Sequence, residues 1–186
     1  MTIMEDYGVV VDFLPYGKAT DTRREPVAQV VGENFFTLLE VIPKAGASLR
    51  VGERVYIGKG EREKIDRIKT RIGYNELTSA ARSELRGVLL GIVRGREADY
   101  TNFFNKCGPV TIRLHQLELL PGVGKKHMHD IMSEREKKPF ANFADISARV
   151  PFLPDPATLI VQRIEEELRG DSKYYILTRP PQRREW

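Results

Sequence analysis

The chain has 186 residues, 41% apolar and 30% charged, enough to bury a sizeable core without disulfides or a structural metal. This excludes wholesale disorder and a collagen-like fibre, and the single cysteine, Cys107, excludes an internal disulfide and any multi-cysteine zinc or iron–sulfur site. A net charge of +4 permits a phosphate-rich partner without requiring one.

From the N-terminus, the opening MTIMEDYGVVVDFLPYG lacks a basic n-region, and Asp12 interrupts its apolar stretch, so no signal peptide is expected. No apolar run approaches the ~20 residues of a membrane helix. The expectation is a soluble, cytoplasmic protein with no membrane partner. Tyr7–Leu14 is rich in β-branched and aromatic residues and stops at Pro15 and Gly17, which predicts a strand. A polar loop follows over Gly17–Glu25. Residues 27–31, 35–42 and 53–58 predict further strands, with Gly32-Glu33-Asn34 as a three-residue hairpin connection. Residues 64–74 fit a helix spacing through Ile65, Ile68 and Ile72, but their neighbours suggest a fifth strand. About five short strands up to residue 74 predict a small β-barrel, closed or partly open.

From Asn75 the period changes. Leu77, Ala81, Leu85, Val88, Leu89, Ile92 and Val93 recur at three and four, which predicts a helix capped by Thr78 or Asn75 and ended by Gly95. A shorter helix carries Tyr100, Phe103 and Phe104, so residues 75–108 read as linking helices. Four more helices are predicted at about 111–120, 124–136, 143–150 and 156–169, within a helical module over 109–170. Asp155, Pro156 and Gly170 suit the start and stop of the last one. Residues 173–178, KYYILT, predict a final strand, and RPPQRREW with Trp186 a mobile tail, giving a last segment over 171–186. The fold class is therefore α+β: a barrel, then an all-α module.

The strongest motif is Leu117–Met132, LELLPGVGKKHMHDIM. An apolar helix is expected to end at a sharp LPGVG turn, with a new helix opening on two lysines. Gly122 and Gly124 permit positive φ and leave the backbone uncovered. Gly122, Val123 and Gly124 would then present backbone N–H groups at a helix start, where anions are favoured, and Lys125 and Lys126 add charge. Leu120-Pro121-Gly122-Val123-Gly124-Lys125 resembles the signature of the helix-hairpin-helix motif, which implies a sequence-independent grip on nucleic-acid phosphates. FADISARV, PFLPDP and ATLIVQRIEEEL repeat the order helix, hairpin, helix. This second hairpin lacks both glycines and any lysine, so it is expected to pack and to bind phosphate poorly or not at all.

Taken whole, the chain resembles a mostly archaeal family known as domain of unknown function 655. The resemblance is carried by residues 31–41, 52–72, 117–126 and 138–146. It implies an oligonucleotide-binding-like barrel followed by a paired helix-hairpin-helix domain. It also implies nucleic-acid binding, with RNA preferred over DNA and partners in the translation or transcription machinery, because the family's genes tend to lie near such genes. It carries no catalytic activity.

Residues 50–71 hold eight Lys/Arg against four acids, a surplus equal to the charge of the whole chain. Alternation on a strand would place Arg67, Lys69 and Arg71 in one stripe, a secondary nucleic-acid contact, with Tyr56 and Tyr74 near enough in sequence to stack on bases. A charged edge that only prevents aggregation is the alternative.

The expected function is thus non-enzymatic nucleic-acid binding, with no catalytic residue, cofactor or metal. Two alternatives stay open. One, implied by the resemblance to helix-hairpin-helix DNA glycosylases, is a glycosylase or lyase with Lys126 as nucleophile and Asp145 assisting, Lys126 being activated by the neighbouring charge of Lys125; Asp145 serves equally well as helix support. The other is a protein-interaction module. His115, His127 and His129 are expected to face solvent or phosphate rather than a metal, since positions two apart on a helix diverge. Cys107 is expected to be buried and inert.

Overall fold

The structure is a computed structural model that describes residues 5–181. The expectation for Trp186 lies outside the described residues. Among the described residues, seven strands and five α-helices follow in the order β1 Tyr7–Leu14, β2 Val27–Gly32, β3 Leu38–Pro43, β4 Arg54–Tyr56, β5 Ile65–Arg71, α1 Ser79–Gly95, α2 Glu97–Lys106, β6 Pro109–Thr111, β7 Leu114–His115, α3 Lys125–Lys137, α4 Phe143–Arg149 and α5 Pro156–Leu168. The chain divides into two units: residues up to 88 together with those from 167 onward, and residues 89–166. The boundaries fall inside α1 and α5, rather than at residues 74 and 108 as the sequence suggests.

In the first unit, β1–β5 form one antiparallel sheet in the order β4-β1-β2-β3-β5. Every neighbouring pair is antiparallel, so the two edge strands run the same way. The sheet is a curled half-barrel and not a ring of paired strands. A salt bridge between Glu53 and Lys64 links the β4 and β5 ends. The core under the curl is Val10, Ala28, Val30, Leu39, Val41, Leu49, Val55, Ile57 and Ile65, with Phe13 and Ile68 packed against it. β5 slips register against β3 at two places, which is why Ile65 and Ile68, three apart, both turn inward.

β2 and β3 are buried along their whole length. Their polar positions are therefore paired. Gln29 Nε2 donates to Glu40 Oε2 at 3.2 Å and to the Glu76 carbonyl at 3.0 Å, and Gln29 Oε1 accepts from Thr78 N–H at 2.9 Å. Thr78 also caps α1, its hydroxyl accepting from Ala81 N–H at 3.0 Å while donating to Asp12 Oδ2 at 2.6 Å. One threonine thus starts the helix and ties it to β1.

The β2–β3 connection is longer than the three residues expected. Phe35, Phe36 and Thr37 belong to it, and Phe36 has φ +55. Its amides are collected by Glu5, which is only 2% exposed and accepts from Asn34, Phe35 and Thr37. The final strand expected at 173–178 is absent for a similar reason. Glu167, 1% exposed, accepts from the N–H groups of Ile176, Leu177 and Thr178 and from the Thr178 hydroxyl. These amides are satisfied by a carboxylate, not by a neighbouring strand.

In the second unit the helix expected at 111–120 is replaced by the β6–β7 hairpin and a 3-10 turn over Gln116–Leu119. Leu114, Leu117 and Leu120 are spaced by three, the period of a 3-10 turn. His115 and Glu118 close the turn reciprocally, Nδ1 of His115 accepting from Leu117 N–H and Glu118 Oε2 accepting from His115 N–H. The other three expected helices are present as α3, α4 and α5. Arg135 on α3 donates to the Phe104 and Cys107 carbonyls at the end of α2. Asn105 on α2 exchanges two hydrogen bonds with the Phe140 backbone, and Glu97 accepts from Phe143 N–H.

Candidate nucleic-acid interface

The Leu120–Lys125 turn lies in the second unit between the 3-10 turn and α3. Gly122 has φ +89, which only glycine adopts without strain. Gly124, in contrast, has φ −97 and forms the N-cap of α3 with no side-chain cap. A Cβ placed on Gly124 would meet nothing within 4 Å. Neither backbone geometry nor packing requires glycine there; its effect is to leave open space at the helix start.

The expectation for Val123 is corrected. Its amide is spent on the Leu120 carbonyl at 3.0 Å, and its side chain is buried. Val123 anchors the turn and offers no donor. The N–H groups of Gly124, Lys125, Lys126 and His127 have no acceptor among the described residues. Lys125 Nζ pairs with Glu118 Oε1 at 2.8 Å and donates to the Arg113 carbonyl at 3.2 Å. That pairing, with a further bond from His115 N–H, holds the Glu118 carboxyl below its ordinary range. Lys126 is exposed and has no partner among the described residues.

The residues of the expected basic stripe are each engaged within the fold. Arg67 is held by both oxygens of Glu25 at 2.8 and 3.0 Å and by Asp66 at 3.0 Å. Lys69 pairs with Asp21 at 2.6 Å. Arg71 departs from the other two: it donates to the Arg179 and Pro180 carbonyls and is partly buried, and burial with the charge of Arg179 lowers its pKa. Arg54 is likewise paired with Glu33. Folding thus brings in acids from outside residues 50–71 to neutralise a charge that looked segregated in the sequence. The expected stacking tyrosines are also engaged. The Tyr74 ring has the guanidinium groups of Arg82 and Arg169 within 5.5 and 5.7 Å, and Tyr56 packs edge-on against Tyr7 while its hydroxyl accepts from Gly60 N–H.

Asp145 supports α4. Its carboxylate accepts from Ala141 N–H at 3.0 Å and pairs with Arg149 at 3.1 Å, and these contacts, the Ala141 bond first, lower its pKa. The α4 cap is Asn142, whose Oδ1 accepts from Asp145 N–H. Lys126 is exposed, and the charge of Lys125, expected to activate it in the glycosylase reading, is met by Glu118. His115 is buried rather than solvent-facing. His127 Nδ1 lies 3.4 Å from the Gly122 carbonyl. No group of three or more His, Cys, Asp or Glu able to hold a metal occurs among the described residues. Cys107 is buried, and burial pushes its thiol up to about 11. No helix among the described residues is long and apolar enough to cross a membrane.

Two exposed apolar side chains border the turn, and sequence reading missed both. Ile112 stands at the tip of the β6–β7 hairpin and Phe152 in the loop between α4 and α5. Apolar residues in helical or strand-like runs read as core, so their exposure had no signal in periodicity.

A curled antiparallel sheet with a helical second unit defines a mixed α+β protein. The family model described as protein of unknown function (DUF655) matches residues 4–179, and the chain belongs to that family. It is 46% identical over 177 residues to uncharacterized protein MJ0038 of Methanocaldococcus jannaschii, covering 94% of this chain and 80% of the relative. The crystal structure of Af1531 from Archaeoglobus fulgidus matches with a TM-score of 0.88 and 50% identity, covering 94% of this chain and all of that one.

Proposed function

We propose that the protein binds nucleic acid largely without regard to sequence, through phosphate contacts at the Leu120–Lys125 turn. The observation that carries the reading is the open start of α3: four consecutive unpartnered N–H groups, a glycine N-cap with empty space above it, and two exposed lysines. Donors of this kind suit a phosphate oxygen. Gly122, Gly124, Lys125 and Lys126 are the contact residues, with Val123 holding the turn's shape. The turn would act as the first hairpin of a paired helix-hairpin-helix domain, entered through a 3-10 turn, in a chain that also carries an oligonucleotide-binding-like half-barrel. RNA is the preferred partner in this reading, with the translation or transcription machinery of the cytoplasm as the proposed setting. Arg67 and Lys69 contribute only where a phosphate displaces their carboxylate partners; solvent screening keeps such exposed pairs weak, so they can be displaced.

The test is a salt-titrated binding assay with single- and double-stranded RNA and DNA. Lys125→Glu/Lys126→Glu should weaken binding at least about tenfold and reduce the salt slope by about 2. A double variant that folds and binds like wild type would refute the reading.

A further inference from the structure

We infer that Phe152, together with Ile112, forms a stacking wedge for the unpaired bases of a single strand whose backbone is held at the Leu120–Lys125 turn; the inference rests on the reading of that turn given above. Its starting point is exposure. Phe152 is 91% exposed and Ile112 105%, and both belong to the second unit. Phe152 also has φ +64, one of two positive-φ residues other than glycine among the described residues. A bulky side chain in the left-handed region is strained. The other case, Phe36, recovers that cost by complete burial, whereas Phe152 recovers nothing from inside the fold.

The loop holds the ring out rather than leaving it loose. Pro151 and Pro154 flank Phe152 and restrict the backbone. Val150 before it is buried, and after it Asp155 caps α5, its Oδ2 accepting from Thr158 N–H at 3.0 Å and from the Thr158 hydroxyl at 2.9 Å.

Position supplies the second argument. A Cβ on Gly122 would lie 3.6 Å from Cγ of Pro154, so the phosphate-facing turn and the Phe152 loop are in contact. The turn is also tied to the β6–β7 tip by Lys125 Nζ on the Arg113 carbonyl, next to Ile112. The turn thus contacts two loops that each expose one apolar side chain. Two cations there, Arg113 and Lys126, are exposed and have no acidic partner among the described residues, while Lys125 pairs with Glu118.

Charge complementarity selects the occupant. A protein groove would accept Phe152 and Ile112 but would leave the cations and free amides unmatched. A polynucleotide strand matches both, phosphates to the amides and lysines, bases to the ring. An unpaired strand is selected over an intact duplex because a duplex must be unstacked before its bases can meet the ring.

The experiment uses the full chain with single-stranded RNA and DNA carrying 2-aminopurine at successive positions, and with the same strands fully paired. Wild type, Phe152→Ala, Phe152→Tyr and Lys125→Glu/Lys126→Glu are compared. Wild type should change the fluorescence of 2-aminopurine at one or two positions of the single strand. Phe152→Ala should lose that signal and bind about tenfold more weakly with an unchanged salt slope, and Phe152→Tyr should restore both. If Phe152→Ala keeps the affinity and the signal while the lysine variant loses binding, the wedge is wrong and the reading of the turn stands. If wild type binds no strand, the turn reading fails and takes the wedge with it. If Phe152→Ala leaves strand binding intact but abolishes self-association in sedimentation, the surface is a protein contact and the inference is overturned.

Discussion

Glu5 occupies the space that a side chain at Gly32 would fill: a Cβ built on Gly32 would lie 2.2 Å from Cδ of Glu5. Glycine at 32 is therefore dictated by packing, not by backbone conformation. It lets a buried carboxylate reach the amides of Asn34, Phe35 and Thr37 and so hold the long β2–β3 connection.

Gly32→Ala should destabilise the chain by about 1–3 kcal/mol, as overpacking does. Urea unfolding checks it. Glu5→Ala should also destabilise, by leaving three amides without their acceptor. Adding Gly32→Ala to Glu5→Ala should then cost little more, because the clash has gone; a fully additive pair would show that Glu5 is not what excludes the methyl group.

Glu167→Gln leaves one oxygen where two now accept from four donors. Exchange of the Ile176, Leu177 and Thr178 amides should speed up by about tenfold or more, from the loss of charge-assisted bonds worth roughly 1.5–3 kcal/mol. Amide exchange read by NMR tests it. Unchanged protection at these three positions would mean the segment is held by other contacts.

His115 sets a pH dependence. Its Nδ1 accepts from Leu117 N–H, so protonation there would break the bond and charge a ring that is only 8% exposed. Burial, with the charges of Arg135 and Lys125, accordingly lowers its pKa below 6.5, against an opposing pull from Glu118. The unfolded chain takes up the proton first as pH falls. The stabilising contribution is therefore complete above 6.5 and is lost as pH falls toward the folded value. Between about pH 7.5 and about pH 5.5, wild type should lose more stability than His115→Asn, whose amide oxygen keeps an acceptor for Leu117. Equal slopes in urea unfolding at the two pH values would count against this account.

Much of the fold is written locally. The β-branched run at Tyr7–Leu14, the Thr78 cap and the Asp155-Pro156 start are each decided by a few adjacent residues, and each element begins where those residues place it. The failures share a cause at longer range. KYYILT has strand composition, yet its amides go to Glu167 on α5, a partner that composition does not reveal. The three-residue spacing of Leu114, Leu117 and Leu120 suits an α-helix and a 3-10 turn alike, and the His115–Glu118 cap decides for the turn. Arg67 and Lys69 look free in the sequence because their acids, Glu25 and Asp21, lie 42 and 48 positions away. At the candidate interface the turn and its lysines were legible. The spent amide of Val123 and the exposed ring of Phe152 were not, since both follow from the path of the backbone.

The first unit takes its residues from both ends of the chain, so the second unit is an insertion within it. A ribosome delivers the five strands first, then all of residues 89–166, and only then Glu167 and the segment it fastens. The inserted unit is complete in sequence before its host is. A chain halted after α5 would hold the whole second unit and Glu167, but not the Ile176–Thr178 segment that Glu167 fastens.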